Sequence, residues 1–195
     1  PARQITIRAG LPVSVPAMTL NRACGSGLQA IVTAAQPIML GDADVTVAGG
    51  AESMSRSPYV LASTRWGARM GNTTVIDMMV GALSDPFDDC HMGITAENLA
   101  KKYDISREDR DAFAVQSHQR AAAAIASGYF KDQIAPVAVK VKRDMVTFDT
   151  DETVRTDTSV EKLARLKPAF DKKGSVTAGN SANINDAAAA VVLVE

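Results

Sequence analysis

A cysteine lies between an extended run and a helix-like run in the stretch LNRACGSGLQAIVTAAQ, which covers residues 20–36. Position alone favours a structural thiol, because free cysteines are among the most buried residues in proteins. Three features favour a nucleophile. Cys24 lies at the predicted N-terminus of a helix, where unpaired backbone N–H groups favour the thiolate. Gly25 and Gly27 allow a sharp turn and the close approach of a thioester. Their amides can also stabilise an oxyanion beside the sulfur.

The other cysteine and the two histidines carry weaker signals. Cys90 precedes His91 in a polar stretch, and we expect a partly buried thiol without a catalytic role. His91 lies close to a glycine and is the better candidate for a binding residue. His118 falls within a helical pattern and is predicted to be a surface residue. The two cysteines lie far apart without metal-ligand spacing, so the sequence predicts no disulfide and a reduced, cytoplasmic setting.

The composition excludes several classes of protein. A net charge of −1 provides no field that would attract nucleic acid or an anionic membrane. No apolar run approaches the roughly 20 residues that a membrane-spanning helix needs, and no segment has the charged start and apolar middle of a signal peptide. The 195 residues, of which 46% are hydrophobic, can bury a sizeable core and fit one domain with a large insertion.

The elements that position Cys24 follow an α/β pattern. Residues 14–23 are predicted to be extended, and residues 24–40 carry apolar side chains at helical spacing, with Gly41 closing the helix. Residues 44–54, DVTVAGGAESM, predict a buried strand that runs into a glycine turn. A strand, a helix and a strand in this order favour parallel pairing.

The character of the chain changes over residues 53–176, where charged and turn-forming residues are frequent. The clearest helix starts after Ser106, which forms a capping-box pattern with Asp109, and it ends at Gly128. Two short strands, PVAVKVK and DMVTFD, follow it. Residues 174–195 then pass from a polar glycine loop into helix and strand again. We therefore predict an α/β core interrupted by a long insertion.

Five strings in this order resemble the thiolase family, in particular its bacterial acetyl-CoA acetyltransferases and β-ketothiolases. They are NRACGSGLQAI, GDADVTVAGGAESMS, HMGITAEN, LARLKPAF and TAGNSANINDAAAA. The resemblance covers nearly the whole chain and implies the layered αβαβα thiolase fold, with most of its N-terminal half present. It assigns residues 1–53 to the N-terminal core and residues 54–184 to an inserted loop domain for coenzyme A binding and assembly. Residues 185–195 return to the core.

The resemblance also implies a reaction. Cys24 matches the family's nucleophile, which attacks an acyl-CoA and becomes an acyl-thioester. A second acyl-CoA, deprotonated at its α-carbon, then attacks that acyl group in a Claisen condensation, and the reverse reaction is thiolysis of a 3-ketoacyl-CoA. The backbone N–H of Cys24 resembles one donor of the family's oxyanion hole. This chemistry needs no metal and no prosthetic group, because the coenzyme A thioesters are substrates.

Further residues match coenzyme A-binding positions of the family. The residues that resemble the lining of the pantetheine and acyl end are Leu83, His91 and Met92. The residues that resemble contacts farther along coenzyme A are Arg155, Phe170 and Ala178. By residue type alone, Leu83 and Phe170 also fit core positions and Arg155 fits a solvated charge. Thiolases carry a loop for tetramer assembly at the position of Arg65, Trp66 and Arg69, so the resemblance implies a homotetramer for the full-length protein.

The chain departs from the family pattern in two places. The family usually has serine and glycine where this chain has Ala182 and Asn183. That serine helps to hold the pantetheine arm, and its loss removes a hydrogen bond worth about 1 kcal/mol. The family's activating histidine, second catalytic cysteine and active-site asparagine belong to a C-terminal half whose motifs are not present here. Because the chain also starts at Pro1 and stops at Glu195 after a strand-like run, we expect a part of a longer protein that is inactive by itself.

Three other functions remain open from the sequence. Ketoacyl synthases also place a cysteine at a helix start, but they usually have ACSSSL-like residues and two later histidines, unlike the ACGSGL and HMG found here. A non-catalytic coenzyme A-binding or assembly module is the main alternative, since the catalytic groups of the second half are missing. A redox sensor formed by Cys24 and Cys90 has no support beyond the count of two cysteines.

Overall fold

A computed structural model describes all residues from Pro1 to Glu195, and the chain divides into two compact units. Unit 1 combines Pro1–Ser57 with Ile184–Glu195, and unit 2 comprises Pro58–Asn183. In chain order the helices and strands are α1 (Ala2–Arg8), α2 (Ser26–Met39), β1 (Val45–Ser53), β2 (Tyr59–Val60), β3 (Ile76–Asp77), α3 (Met78–Ala82), β4 (Ser84–Asp85), β5 (Cys90–His91), α4 (Met92–Lys102), α5 (Arg107–Ala126), β6 (Val137–Val141), β7 (Asp144–Phe148), α6 (Val160–Ala164) and β8 (Asp186–Val194). No helix combines the length and the apolar composition that crossing a bilayer requires.

Unit 1 contains an antiparallel pair of strands, so the predicted parallel pairing is wrong. β1 pairs with β8 over nine residues, although Ser53 and Asp186 are 133 positions apart in the chain. Residues 14–23 form no strand, and Pro16 within them has no N–H group to donate to a neighbouring strand. The partner of β1 is therefore the strand that returns after the insertion.

Close approach of β1 and β8 explains two further differences from the sequence predictions. Gly49 lies inside β1 rather than in a turn, because a Cβ at this position would lie 2.7 Å from the carbonyl oxygen of Ala189. The alanines at 187–190 form strand throughout, whereas a helix was expected before the strand. Pairing with β1 outweighs the helix preference of alanine.

The long helix of unit 2 begins and ends as predicted. The Ser106 hydroxyl accepts the Asp109 N–H at 3.0 Å and donates to the Asp109 carboxylate at 2.7 Å. After α5, Gly128 takes a φ of +73°, and its N–H and the next one bond back to the last turn in a Schellman motif. α2 ends in the same way at Gly41, whose φ is +74°. α2 itself begins two residues later than predicted, at Ser26.

Unit 2 has its core where three helices meet the segment that precedes residue 184. The buried apolar side chains of this unit are Ala100 on α4, Val115 on α5, Leu163 on α6 and Val176. The two predicted short strands are present as β6 and β7, which pair antiparallel as a hairpin. The short pairs β2–β3 and β4–β5 are also antiparallel.

Candidate active site

Cys24 is exposed on a tight turn just before α2. Gly25 is the N-cap residue of the helix, and no side chain caps it. Ala23, directly before the cysteine, has a φ of +46°, which is an unfavourable backbone conformation for a residue with a Cβ. The turn therefore holds the nucleophile candidate in solvent on a strained loop, and its place just before a helix agrees with the sequence prediction.

The hydroxyl of Ser26 holds this turn in place. It accepts the backbone N–H of Arg22 at 2.7 Å and donates to the carbonyl oxygen of Ala23 at 2.7 Å. The Asn21 side chain accepts the Ala23 N–H at 2.9 Å. These three hydrogen bonds offset the cost of the strained residue, since each contributes roughly 1 kcal/mol. This role of Ser26 was not predicted from the sequence, although the residue lies within the string ACGSGL.

The backbone amides around Cys24 divide into paired and free donors. The N–H of Gly25 donates to the Arg22 carbonyl at 3.0 Å, so it cannot stabilise an oxyanion as expected. The N–H groups of Cys24 and Gly27 make no hydrogen bond in the chain. Both are available to a developing negative charge, and they lie where the positive end of the α2 dipole adds to their effect.

Three of the predicted coenzyme A-binding residues come together in unit 2. His91 in β5 pairs with Ser84 in β4, and the N–H of Met92 donates to the carbonyl oxygen of Leu83 at 2.8 Å. The Nδ1 atom of His91 accepts the N–H of Gly93 at 3.1 Å and so caps the start of α4. This hydrogen bond requires an unprotonated Nδ1 and fixes the orientation of the ring.

Phe170 joins this group by stacking on the His91 ring. The ring centroids lie 4.6 Å apart and the planes are inclined by 19°. The stack depends on a glycine beneath it, because a Cβ at Gly93 would lie 2.2 Å from the Phe170 ring. Phe170 keeps 37% of its surface exposed, so one part of the ring packs and another part faces solvent.

The segment that contains Ala178 is bound to α4 through Glu97. The Glu97 carboxylate accepts the N–H of Ser175 at 2.7 Å, the N–H of Val176 at 2.6 Å and the Ser175 hydroxyl at 2.9 Å. Burial alone raises the pKa of Glu97, but these hydrogen bonds and the nearby Arg110 charge outweigh it and lower the pKa below its usual value. Glu97 was not predicted to matter, although it lies within HMGITAEN. The exposed Ala178 follows this anchored segment.

Arg155 is held by a different element from the other five candidates. Its backbone N–H donates to Nδ1 of His118 at 3.1 Å, and its side chain is exposed. The prediction that His118 is simply a surface residue is therefore incomplete, because its ring positions the Arg155 segment. Cys90 is half-buried in β5 beside His91 and has no disulfide partner. Nowhere do three or more His, Cys, Asp or Glu side chains gather as a metal site requires.

This chain is similar in sequence to proteins of one known family. The family model described as "Thiolase, N-terminal domain" matches residues 1–195. Beta-ketothiolase BktB of Cupriavidus necator is 58% identical over 194 residues, which cover 99% of this chain and 49% of that protein. An acetyl-CoA acetyltransferase of Pseudomonas aeruginosa is 57% identical over 196 residues, which cover 100% of this chain and 50% of that protein. The chain thus spans about half the length of the curated relatives that it matches.

Solved structures give the same result. The acetyl-CoA acetyltransferase of Bacillus anthracis superposes with a TM-score of 0.93 at 48% identity, covering 99% of this chain and 49% of that chain. Human mitochondrial 3-ketoacyl-CoA thiolase in complex with CoA superposes with a TM-score of 0.91 at 43% identity, covering 98% of this chain and 48% of that chain. These likenesses confirm the predicted α/β fold class.

Proposed function

Because the chain belongs to the thiolase family through its N-terminal domain, we propose that it supplies the nucleophile and much of the coenzyme A site of an acyltransferase. The substrates are acyl-CoA thioesters such as acetyl-CoA, and the product is a 3-ketoacyl-CoA or, in reverse, two shorter acyl-CoA molecules. Relatives named acetyl-CoA acetyltransferase and beta-ketothiolase support this reaction class. The groups that complete the site belong to a second half of the full-length protein.

The reaction uses Cys24 twice. Its thiolate attacks the carbonyl carbon of an acyl-CoA, the bond to the coenzyme A sulfur breaks, and the coenzyme A thiolate takes up the proton that Cys24 gave to its activating base, which is expected in the second half. The α-carbanion of a second acyl-CoA then attacks the acyl-cysteine, a carbon–carbon bond forms, and Cys24 leaves as a thiolate. The residue that removes the α-proton is expected in the second half. The N–H groups of Cys24 and Gly27 supply donors for the oxyanions of both steps.

The exposed Cys24 on its constrained turn is the observation that carries this proposal. The thiol lies beside two backbone N–H groups that make no hydrogen bond within the chain. Strain at Ala23 supports the same conclusion, because strained backbone persists where surrounding contacts hold it and often marks a reactive group.

In unit 2, the proposed coenzyme A site consists of two parts. The cluster that we assign to the pantetheine and acyl end contains Leu83, His91 and Met92. Phe170, which stacks on His91, and Ala178 are assigned to the part of the site farther along coenzyme A. Arg155, held by His118, offers an exposed positive charge that suits the phosphates at the far end of coenzyme A. The thiolase structure solved with CoA supports coenzyme A as the bound group.

Exposed apolar surface on unit 1 supports a second half. Among the buried apolar residues only Ala48 belongs to this unit. Val45 and Val47 in β1, and Val192 and Val194 in β8, are each more than half exposed. Single soluble domains rarely leave such contiguous apolar surface uncovered. We therefore propose that the remainder of the full-length protein packs here.

We further propose that the full-length protein is a cytoplasmic homotetramer. Trp66, which is 87% exposed, and the fully projecting Met70 lie on the loop between β2 and β3, with Arg65 and Arg69 beside them. Aromatic and arginine side chains of this kind are typical of protein interfaces. Both cysteines are free thiols, which suits a reducing compartment and a catalytic thiolate.

The first test is the coding DNA beyond Glu195, followed by an assay of the protein it encodes. We expect the reading frame to continue into a half with a GHP-type histidine and a CxGGG-type cysteine. We also expect the full-length protein to cleave acetoacetyl-CoA with coenzyme A. A stop codon directly after Glu195, with coenzyme A binding but no turnover, would instead favour the non-catalytic binding module.

Ala182 offers a gain-of-function test of the coenzyme A assignment. Replacing it by serine restores the hydroxyl that the family usually has, and one added hydrogen bond of about 1 kcal/mol lowers KM for the coenzyme A substrate roughly fivefold. Ser181 does not already fill this need, because its hydroxyl donates to the Thr177 carbonyl at 2.6 Å. The measurement is KM for coenzyme A in thiolysis by the full-length Ala182→Ser variant, with Ala182→Val as a control that adds bulk without a donor. Equal KM values for all three proteins would count against the assignment.

A further inference from the structure

The most deeply buried ionisable group of the chain has no part in the chemistry proposed above. Asp111 on α5 is 1% exposed, and its neighbour in space, Thr177, is completely buried. A buried carboxylate is costly unless its partners are well placed, and removing one partner is more costly still. The contacts of Asp111 therefore indicate what its burial achieves.

Each carboxylate oxygen of Asp111 has a different partner. Oδ2 accepts Nε of Arg107 at 2.7 Å, one turn earlier on the same helix. Arg107 also donates through Nη2 to the Leu163 carbonyl at 2.6 Å, which ties α5 to α6. Oδ1 accepts Nδ2 of Asn180 at 2.9 Å. The hydrogen bond between Asp111 and Asn180 joins α5 to the segment that contains Ala178.

The Asn180 side chain also binds the backbone of the segment that contains Ala178. Besides Asp111, its Nδ2 donates to the Ser175 carbonyl at 3.0 Å, and its Oδ1 accepts the Thr177 N–H at 2.8 Å. The amide thus closes the chain on itself on both sides of Val176, which is buried. The Gly179 N–H donates to the Thr177 hydroxyl at 3.2 Å, which closes the turn on its other side. Ala178, at the tip of this turn, is exposed.

We infer that Asp111 is a positioning residue: through Asn180 it fixes residues 175–180, and so it presents Ala178 to coenzyme A. The inference rests on the proposed function for the identity of the ligand. The geometry of the turn does not depend on the identity of the ligand. The hydrogen bonds that connect Asp111 through Asn180 to Thr177 all lie within unit 2. Arg107 fixes the carboxylate of Asp111, and Asn180 connects that carboxylate to the backbone of the turn.

The test replaces Asp111 by asparagine in the full-length protein. The introduced amide can still accept the Arg107 donor with its oxygen, so its NH₂ group then faces the NH₂ group of Asn180 and the hydrogen bond is lost. We expect amide hydrogen exchange at Thr177 to become at least about tenfold faster and Kd for coenzyme A to rise about tenfold. The rate at which iodoacetamide alkylates Cys24 should stay at the wild-type value, because that turn belongs to unit 1.

Two further variants keep the inference open to refutation. Asn180→Ala leaves the Asp111–Arg107 pair intact but removes the acceptor of the Thr177 N–H directly, so its faster exchange is expected in any case and its Kd tests whether the fixed turn matters for coenzyme A. Asp132→Asn makes the same chemical change at an exposed carboxylate of the same unit and should change neither quantity. A lower melting temperature with unchanged Thr177 exchange and unchanged Kd in Asp111→Asn or Asn180→Ala would overturn the inference.

The outcome also separates this inference from the proposed function. If the wild-type full-length protein binds no coenzyme A, the proposed function fails, and Thr177 exchange alone then decides whether Asp111 fixes the turn. If the wild type binds coenzyme A and both variants bind it equally well, the positioning role fails and the proposed function stands.

Discussion

Replacing Cys24 by alanine in the full-length protein is expected to eliminate acyl transfer, with turnover falling by roughly a thousandfold or more. Cys90 also comes directly before the N-cap residue of a helix, but it is not expected to take over, because it is half-buried in β5 whereas Cys24 is exposed. The measurement is intact-protein mass spectrometry after incubation with acetyl-CoA, combined with a thiolysis assay. Wild-type protein should gain one acetyl group, located on Cys24.

Cys90→Ala is the matched control for this prediction. It makes the same chemical change at the other thiol, and it should retain the acetyl label and most of the turnover. Acetylation of Cys90, or full turnover by the Cys24→Ala variant, would refute the assignment of the nucleophile. Loss of the label together with intact coenzyme A binding in the wild type would favour a binding module.

Replacing Gly93 by alanine should have the second-largest effect, because the added methyl group has no room. Its Cβ would lie 2.2 Å from the Phe170 ring, including Cγ, so the ring cannot avoid it by a small movement. The overpacking costs about 1–3 kcal/mol, and the His91–Phe170 stack, worth about 1 kcal/mol, is lost with it. We expect a lower melting temperature and a KM for coenzyme A raised about tenfold or more, measured in the full-length protein.

Two controls identify the clash as the cause. Gly81→Ala adds the same methyl group to α3, where the nearest side-chain atoms lie at 3.8 Å, and it should be neutral or slightly stabilising. In a Phe170→Ala background the Gly93→Ala change should cost little, because the ring that it strikes is gone. If Gly93→Ala destabilises the protein equally with and without Phe170, a clash with that ring does not explain the effect.

Local hydrogen bonding made several elements predictable from the sequence. The Ser106 cap and the Gly128 end of α5 depend on groups within five residues of each other, and the structure shows both. The closing glycine of α2 belongs to the same class of signal. Cys24 at a helix start could also be predicted, since a glycine-flanked residue before an apolar helical run is a local pattern. Its exposure agrees with that prediction.

The contacts among the proposed coenzyme A-binding residues could not be predicted from local sequence patterns. The resemblance suggested His91 and Phe170 separately, but their stacking across 79 positions of the chain, over Gly93, required the fold. Likewise, nothing in the helical pattern around His118 showed that its ring holds the Arg155 backbone. The spacing of residues along the sequence cannot predict such contacts, because each contact depends on which surfaces of distant segments meet in the fold.

Taken by itself, the sequence therefore determined both ends of α5, the glycine that closes α2, the two strands β6 and β7, the place of Cys24 just before a helix, and the family. Tertiary structure alone decided that β1 pairs antiparallel with β8, that the alanines at 187–190 form strand, and that Asp111 is buried against Asn180. The physical reason is the separation along the chain between the groups that interact. Caps and turns are stabilised by hydrogen bonds between near neighbours, whereas strand pairing and buried polar contacts gain free energy only when distant segments exclude water from each other.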